Sequence, residues 1–238
     1  MNRGQSHVVG VVLLLGLTVA ALGGLTAVTG EVVDGQTAAA DEARVASSLA
    51  ATLRPVEQTG HNTGRVQFTA GRLTTADREV RVRRSGRTVW TADTGALVYH
   101  AAEARAAFVA GGVVRGRPGA AWTVRDLPVT ATRDTDAIVL GVARLGASDV
   151  TVSGSRGSTV TLKTNVSHDR RRLSSGSYTV AIETATPDAF ARSLDTPNRT
   201  TRVRDLDGDG TASAVVQFDG RRTLYLVVHE MRLEVGHG

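Results

Sequence analysis

The sequence predicts an α+β protein: a long N-terminal hydrophobic helix, then a mainly antiparallel, β-rich, sandwich-like head with one short helix. Three observations support this class. Residues 8–30 carry no charge and are rich in Val, Leu, Ala and Gly. Residues 36–53 place apolar side chains three or four positions apart, the period of an amphipathic helix. Beyond residue 60, apolar and polar residues alternate between short Gly-, Ser- and Asp-rich turns, as in antiparallel sheets.

The uncharged segment 8–30 is 23 residues long. As a helix with a rise of about 1.5 Å per residue it would measure about 34 Å, enough to cross a hydrocarbon core of roughly 30 Å. The segment therefore predicts a single-pass helix in the cell membrane, with the lipid bilayer as its partner. Arg3, on the short leading side, predicts a cytoplasmic N-terminus and an extracellular head. A cleaved secretory signal is an alternative, although the small residues at 20–24 and 26–28 match a cleavage site only loosely.

The four residues Arg3-Gly4-Gln5-Ser6 stand directly before this apolar segment. This arrangement resembles the class III signal of archaeal type IV pilins and archaellins, including the pilin-like proteins of halophilic archaea. The resemblance implies that a prepilin peptidase cuts between Gly4 and Gln5, so that Arg3, Gly4 and Gln5 form the processing site. It also implies that the hydrophobic helix is retained and packs against other pilin-like subunits or against copies of itself.

The sequence is divided accordingly into a leader (1–4), a transmembrane or filament-core helix (5–30), an amphipathic stalk helix (31–57) and a β-rich head (58–238). The stalk is expected to stop near Arg54-Pro55, because a residue before proline avoids the helical region. Its predicted apolar stripe comprises Ala39, Ala43, Ala46, Leu49, Ala50 and Leu53.

In the head, Ser85-Gly86 predicts the turn of a hairpin between residues 79–83 and 87–90. Thr186-Pro187 predicts the start of the short helix, since proline is favoured in a first helical turn. Further predicted strands cover residues 65–69, 96–99, 107–115, 122–124, 137–142, 150–153, 159–163, 178–184, 212–218 and 224–234.

Residues 204–211 contain the most specific local motif of the head. Asp205, Asp207 and Asp209 are spaced two apart and end in Asp-Gly, like the first half of a calcium loop. The twelfth position of a full loop needs a glutamate, and Val216 stands there. The motif predicts either a hairpin turn without metal or a structural Ca²⁺ site, and apart from this optional ion we expect no cofactor.

Asn165 and Asn198 begin Asn-x-Ser/Thr sequons and are the predicted glycosylation sites, on surface loops.

The six histidines show no metal-ligand spacing, and there is no Gly-x-Ser-x-Gly or phosphate-loop motif. We therefore expect no enzyme. The net charge is +5, but basic and acidic residues are interspersed and aromatic residues make up only 4%, so we expect no nucleic-acid partner. The chain has no cysteine, which excludes disulfides and thiolate metal sites.

These features predict a pilin-like, membrane-inserted surface subunit, minor or accessory because of its large head, that assembles into or associates with a type IV pilus-like filament. The alternative function is a single-pass, membrane-anchored ectodomain that binds a ligand, a surface or a partner.

Overall fold

The computed structural model describes residues 15, 17–19, 35–131, 136–147, 149–197 and 199–237. Within these ranges most residues lie in strands. The strands in chain order are β1 (Gly60–Phe68), β2 (Gly71–Ala76), β3 (Glu79–Arg84), β4 (Arg87–Asp93), β5 (Ala96–Ala101), β6 (Ala104–Val109), β7 (Gly112–Arg115), β8 (Trp122–Arg125), β9 (Val129–Ala131), β10 (Ala137–Ala147), β11 (Thr151–Gly154), β12 (Ser158–Gly176), β13 (Tyr178–Glu183), β14 (Arg199–Arg204), β15 (Ser213–Phe218) and β16 (Arg222–His237).

Two longer helical segments accompany the strands. Residues 35–52 form α1, whose alanine-rich sequence favours a helix and which ends before Arg54-Pro55. Pro187–Leu194 form α2, with Pro187 in its first turn and Thr186 as the capping residue. Residues 15 and 17–19 are also helical. We call residues 60–237 the head.

The strands form three sheets. The first sheet has the order β1-β12-β16-β10-β9, the second β11-β2-β5-β6-β7-β8, and the third β14-β15-β13-β3-β4. Neighbouring strands are antiparallel except β10 and β16, which run parallel over residues 137–147 and 223–233. The hairpin predicted at Ser85-Gly86 is confirmed, and both turn residues have positive φ. Residues 107–115 are two strands, not the single one predicted, because Ala110-Gly111 makes a tight turn between β6 and β7.

The central strands of the second sheet, β5, β6 and β7, are buried on both of their faces. On β5, Ala96 and Val98 pack into a first core, whereas Leu97 and Tyr99 point to the other face and pack into a second core. The third sheet and α2 also contribute to the first core, and α1 contributes to the second. The first sheet serves both cores, since β10 places Ile138 and Leu140 in the first and Ala143 and Leu145 in the second.

Helix α1 therefore belongs to the core of the head. Its side chains Val45, Ala46 and Leu49 are fully buried, as is Leu53 directly after the helix, while Ser47 on the opposite side is exposed. The charged residues Asp41, Glu42 and Arg44 lie in the same helix. An amphipathic helix of this kind is stabilised by burying one apolar stripe on a larger core.

The predicted fold class is wrong in its first element. The described chain is mostly β, arranged in three sheets around two cores, and contains no long N-terminal hydrophobic helix among its described residues. The predicted segments 1–4 and 5–30 lie outside the described residues, apart from 15 and 17–19.

The predicted membrane localisation is also corrected. Across the ranges that the structure describes, no helix combines the length and the apolar composition needed to cross a bilayer. The single-pass anchor, and the cytoplasmic and extracellular placement that depended on it, are therefore not supported.

We expect Leu49→Ala to lower the free energy of unfolding by about 2–5 kcal/mol, because it removes buried methyl groups and leaves a cavity in the second core. Ser47→Ala, two positions away on the exposed side of α1, should change it by less than about 0.5 kcal/mol. Urea unfolding of both variants measures the difference. Equal stabilities for the two variants would show that α1 does not fold together with the head.

Candidate functional site: the joint between the first helix and the head

The predicted metal loop joins β14 to β15. Asp205, Asp207 and Asp209 are all exposed, and one carboxylate oxygen from each lies within 4.8 Å of the others. Asp205 accepts hydrogen bonds from the backbone N–H groups of Gly208 at 2.8 Å and Gly210 at 3.1 Å. Both glycines have positive φ, the conformation that such a turn requires of them.

Asp207 forms an ion pair with Arg81 of β3, with Oδ2 and Nη2 2.5 Å apart. The hydrogen bond from Arg81 lowers the pKa of Asp207. Asp209 accepts a hydrogen bond from the backbone N–H of Thr211 at 2.7 Å, so all three carboxylates already have partners in the loop backbone or in the third sheet. The residues offer hard oxygen ligands, but a Ca²⁺ ion would compete with Arg81 for Asp207.

The other predicted sites are only partly described. Arg3, Gly4 and Gln5, the predicted processing site, and Asn198, one of the two predicted glycosylation sites, lie outside the described residues. Asn165 is exposed, but it lies in β12, where it faces His61 of β1 on one side and Arg232 of β16 on the other. It is therefore in the middle of a sheet and not on the loop that the sequence predicted.

The strongest polar contacts that join α1 to the head involve Asp41, which is only 1% exposed. Its carboxylate accepts hydrogen bonds from the backbone N–H of Thr69 at 2.6 Å and of Ala70 at 3.2 Å, and from the Thr69 hydroxyl at 3.2 Å. Arg44 forms an ion pair with it at 2.5 Å. This buried carboxylate is therefore well satisfied, and it ties α1 to the loop between β1 and β2.

Tyr99 of β5 strengthens the same contact. Its hydroxyl donates a hydrogen bond of 2.6 Å to the carbonyl of Ala70. Burial, with a smaller contribution from the charge of Asp41, raises the pKa of Tyr99 to about 12. The hydroxyl therefore stays protonated and available as a donor throughout the physiological range.

Arg125 of β8 holds the C-terminal end of α1. Its guanidinium donates to the carbonyl of Ala50 at 2.8 Å, to that of Leu53, and to that of Gly111 at 3.2 Å. The last carbonyls of a helix have no partner within the helix, and a cation there also interacts favourably with the helix dipole. Burial lowers the pKa of Arg125 to about 10, so it remains charged at neutral pH.

A pair of histidines lies under the connector, residues 53–59, that leads from α1 to β1. The register of β12 and β16 places His168 directly opposite His229, with their Nδ1 atoms 2.8 Å apart. Thr59 of the connector is hydrogen-bonded to Nε2 of His168 at 2.9 Å. This contact between Thr59 and His168 holds the end of the connector against the first sheet.

His229 is 4% exposed, and burial lowers its pKa to about 4. The neighbouring His168 and Arg170 lower it further by repulsion, while the Pro55 carbonyl opposes the shift. His229 is therefore uncharged at neutral pH.

A cavity of about 320 Å³ opens beside the pair. Val56 of the connector, Pro128, Val139 and Val227 supply apolar walls, and His168, His229 and Arg170 supply polar groups. Gly141 leaves this space open, because a Cβ there would lie 3.1 Å from Nε2 of His229 and 2.9 Å from Pro128.

The sequence alone does not predict this joint. His168 and His229 are 61 positions apart, too far for a local motif to connect them. Of the two, only His229 lies in a predicted strand, and His168 lies beyond the strand predicted over residues 159–163. Asp41 and Arg125 gave no signal either, since charged residues in a helix and a strand are usually solvated.

A model of a family of unknown function, DUF7289, matches residues 3–234. The chain belongs to this family. No curated protein and no solved structure matches the chain. The DUF7289 match runs from the apolar N-terminal segment through α1 to β16, so it includes both sides of the joint.

We expect the stability of this DUF7289 protein to fall as the pH is lowered from about 6.5 towards 4. In this interval the unfolded chain protonates His229, whose ordinary pKa is 6.5, whereas the folded chain, in which the pKa is lowered to about 4, does not. Since the unfolded state binds more protons there, acid favours unfolding. Below about pH 4 this residue contributes no further change.

Urea unfolding between pH 4 and pH 8 measures this dependence. His229→Gln should reduce the slope below pH 6.5, whereas His61→Gln, at an exposed position of β1, should leave it unchanged. Identical slopes in wild type and His229→Gln would show that His229 is not the group responsible.

Proposed function

We propose that this protein is a pilin-like structural subunit, minor or accessory, that assembles into or associates with a type IV pilus-like filament. The observation that carries the proposal is the joint. An N-terminal apolar segment precedes α1 in the sequence, and α1 is fixed to the core of a large β-rich head along one face, through Asp41 and at its C-terminal end. A subunit held in an assembly through its N-terminal segment needs such a connection, because load on the segment must reach the head without unfolding it.

The sequence of the N-terminal segment supports the same role. Residues 8–30 carry no charge and are mostly apolar, so the free energy falls when their surface is removed from water. Copies of the same segment present matching apolar surface. The small residues Gly10, Gly16, Ala20, Gly23 and Gly24 allow close approach between packed segments.

The extent of the family match adds support. DUF7289 matches residues 3–234 as one unit, so the apolar segment and the head are shared together by its members. A role in which only the head acts would not require the segment. An assembly role uses both parts of the chain.

We expect the mature protein to begin at Gln5, because the resemblance of Arg3-Gly4-Gln5 to a class III signal predicts cleavage after Gly4. Mass spectrometry of the N-terminal peptide from the native host measures this. Gly4→Phe should block cleavage, since a bulky residue replaces the small one before the cut, while Asn2→Ala should be processed normally. A native protein that retains Met1 or Asn2 would remove the support that the resemblance gives.

Assembly is tested through disulfide cross-linking, for which the cysteine-free chain is a clean background. We expect Leu14→Cys, in the apolar segment, to yield disulfide-linked dimers under mild oxidation, because assembly places neighbouring copies of this segment together. Arg87→Cys, at the exposed start of β4, should remain uncross-linked at the same protein concentration. Equal cross-linking at both positions would indicate random collision, and none at Leu14→Cys would contradict assembly through this segment.

A further inference from the structure

The strand register of the first sheet creates the cavity beside the histidine pair. Arg170 of β12 lies opposite Val227 of β16, and Val227 lies opposite Gly141 of β10, so the three form one row across the sheet. His168 and His229 lie two positions along their strands, and therefore on the same face. Because the row ends in a glycine, which has no side chain, the space above it stays open.

The walls of this cavity contain apolar surface that the head leaves uncovered. Val56 of the connector is 57% exposed and Val139 of β10 is 44% exposed, and both line the cavity together with Pro128 and Val227. Single exposed apolar residues are common on protein surfaces. Here two of them face the same space, so a ligand with an apolar body would remove both from water.

The cavity reaches a buried polar group. His229 is 4% exposed, yet it is one of the lining residues, together with the more accessible His168. The charge of Arg170 contributes to the lowered pKa of His229, which indicates that the guanidinium lies close to this imidazole. Arg170 also lines the cavity, so its cation and the two imidazoles border one enclosed space.

Arg170 is an exposed cation that no carboxylate neutralises. Among the residues that the structure describes, it forms no ion pair and donates no side-chain hydrogen bond. Its neighbour Asp169 points to the other face of β12, since successive strand residues alternate, and pairs there with Arg171 at 2.9 Å. None of the residues that line the cavity is acidic. The charge at the cavity is therefore complementary to an anion.

We propose that this cavity binds a small organic anion, a carboxylate attached to a compact apolar body. The apolar body lies against Val56, Val139 and Val227, and the carboxylate pairs with the guanidinium of Arg170. Guanidinium binds carboxylate through two parallel hydrogen bonds, which orient the ligand as well as hold it. Mostly apolar walls with a few polar groups are typical of small-molecule sites, and the volume of about 320 Å³ is sufficient for such a ligand.

The test titrates the full chain with sodium benzoate, which joins a carboxylate to a compact apolar ring. Benzyl alcohol carries the ring without the charge, and acetate carries the charge without a ring. Sodium chloride keeps the ionic strength equal in all titrations. We expect benzoate to bind saturably in calorimetry and to raise the melting temperature, because it binds only the folded chain. Benzyl alcohol and acetate should bind at least about tenfold more weakly, since each lacks one of the two contacts. Benzoate that binds no more tightly than either of them would overturn the proposal.

Arg170→Gln tests the cation. It should weaken benzoate binding by about tenfold, the loss expected for one charged hydrogen-bonding partner. Arg171→Gln is the matched control, because this neighbouring arginine is also exposed but points to the opposite face of β12. It should bind benzoate like wild type. Equal affinities for the two variants would overturn the proposal and would place any bound benzoate elsewhere on the chain.

Gly141→Ala tests the space. The added Cβ would lie 2.9 Å from Pro128 and 3.1 Å from Nε2 of His229, so it should reduce benzoate affinity at least about tenfold without changing any charge. Gly146→Ala, in the same strand, is the control, because its Cβ would meet no atom closer than 3.7 Å. Unchanged affinity in a folded Gly141→Ala protein would contradict the proposed site.

If Gly141→Ala fails to fold, the comparison of Arg170→Gln with Arg171→Gln still decides, since both replace exposed side chains and should leave the fold intact. Neither comparison depends on cleavage or cross-linking of the N-terminal segment, so the ligand site and the assembly role are tested separately.

Discussion

Burial of the central strands of the second sheet on both faces is the constraint on which the rest of the structure depends. Antiparallel sheets often leave one face to water, and their strands then alternate apolar and polar residues. In β5 and β6 this alternation is lost, since Ala96, Leu97, Val98 and Tyr99 are all buried. Each face then needs its own cover. The third sheet and α2 provide one, and α1 with part of the first sheet provides the other.

Because α1 covers one of these faces, it is required for the fold of the head. Its apolar stripe accounts for the packing, and its polar contacts fix its position along the sheet. Asp41 holds the helix to the β1–β2 loop, Arg125 holds its last carbonyls, and the connector after it rests on the His168–His229 pair. Helix α1 is thereby fixed to the second core of the head.

The polar groups of the head differ in how completely they are satisfied. Asp205 and Asp207 resemble metal ligands in sequence, yet backbone N–H groups and Arg81 already engage them. Arg105 resembles an ordinary strand residue in sequence, yet among the residues that the structure describes its Nε is buried without a hydrogen-bond acceptor. Unsatisfied buried groups are rare in folded proteins, and Arg105 differs in this respect from the acidic loop, whose carboxylates already have partners.

The sequence by itself determined the local elements. Apolar residues at three- and four-residue spacing, followed by Arg54-Pro55, were enough to predict a helix that buries Leu49 and Leu53. Alternation and Ser85-Gly86 were enough to predict a hairpin. These features depend on the preferences of neighbouring residues, which a single sequence displays directly. Length and hydropathy alone led to the membrane helix, which the described residues do not support.

Only the tertiary structure decided which strands pair and which faces are covered. His168 meets His229 because β12 pairs with β16, and Arg105 joins Arg72 and His100 because β2, β5 and β6 are neighbours. Strand pairing depends on packing between segments far apart in the chain, and a shift by one residue would turn every side chain to the other face. No local pattern contains that information, so the joint and the alignment of Arg72, His100 and Arg105 became visible only in the folded chain.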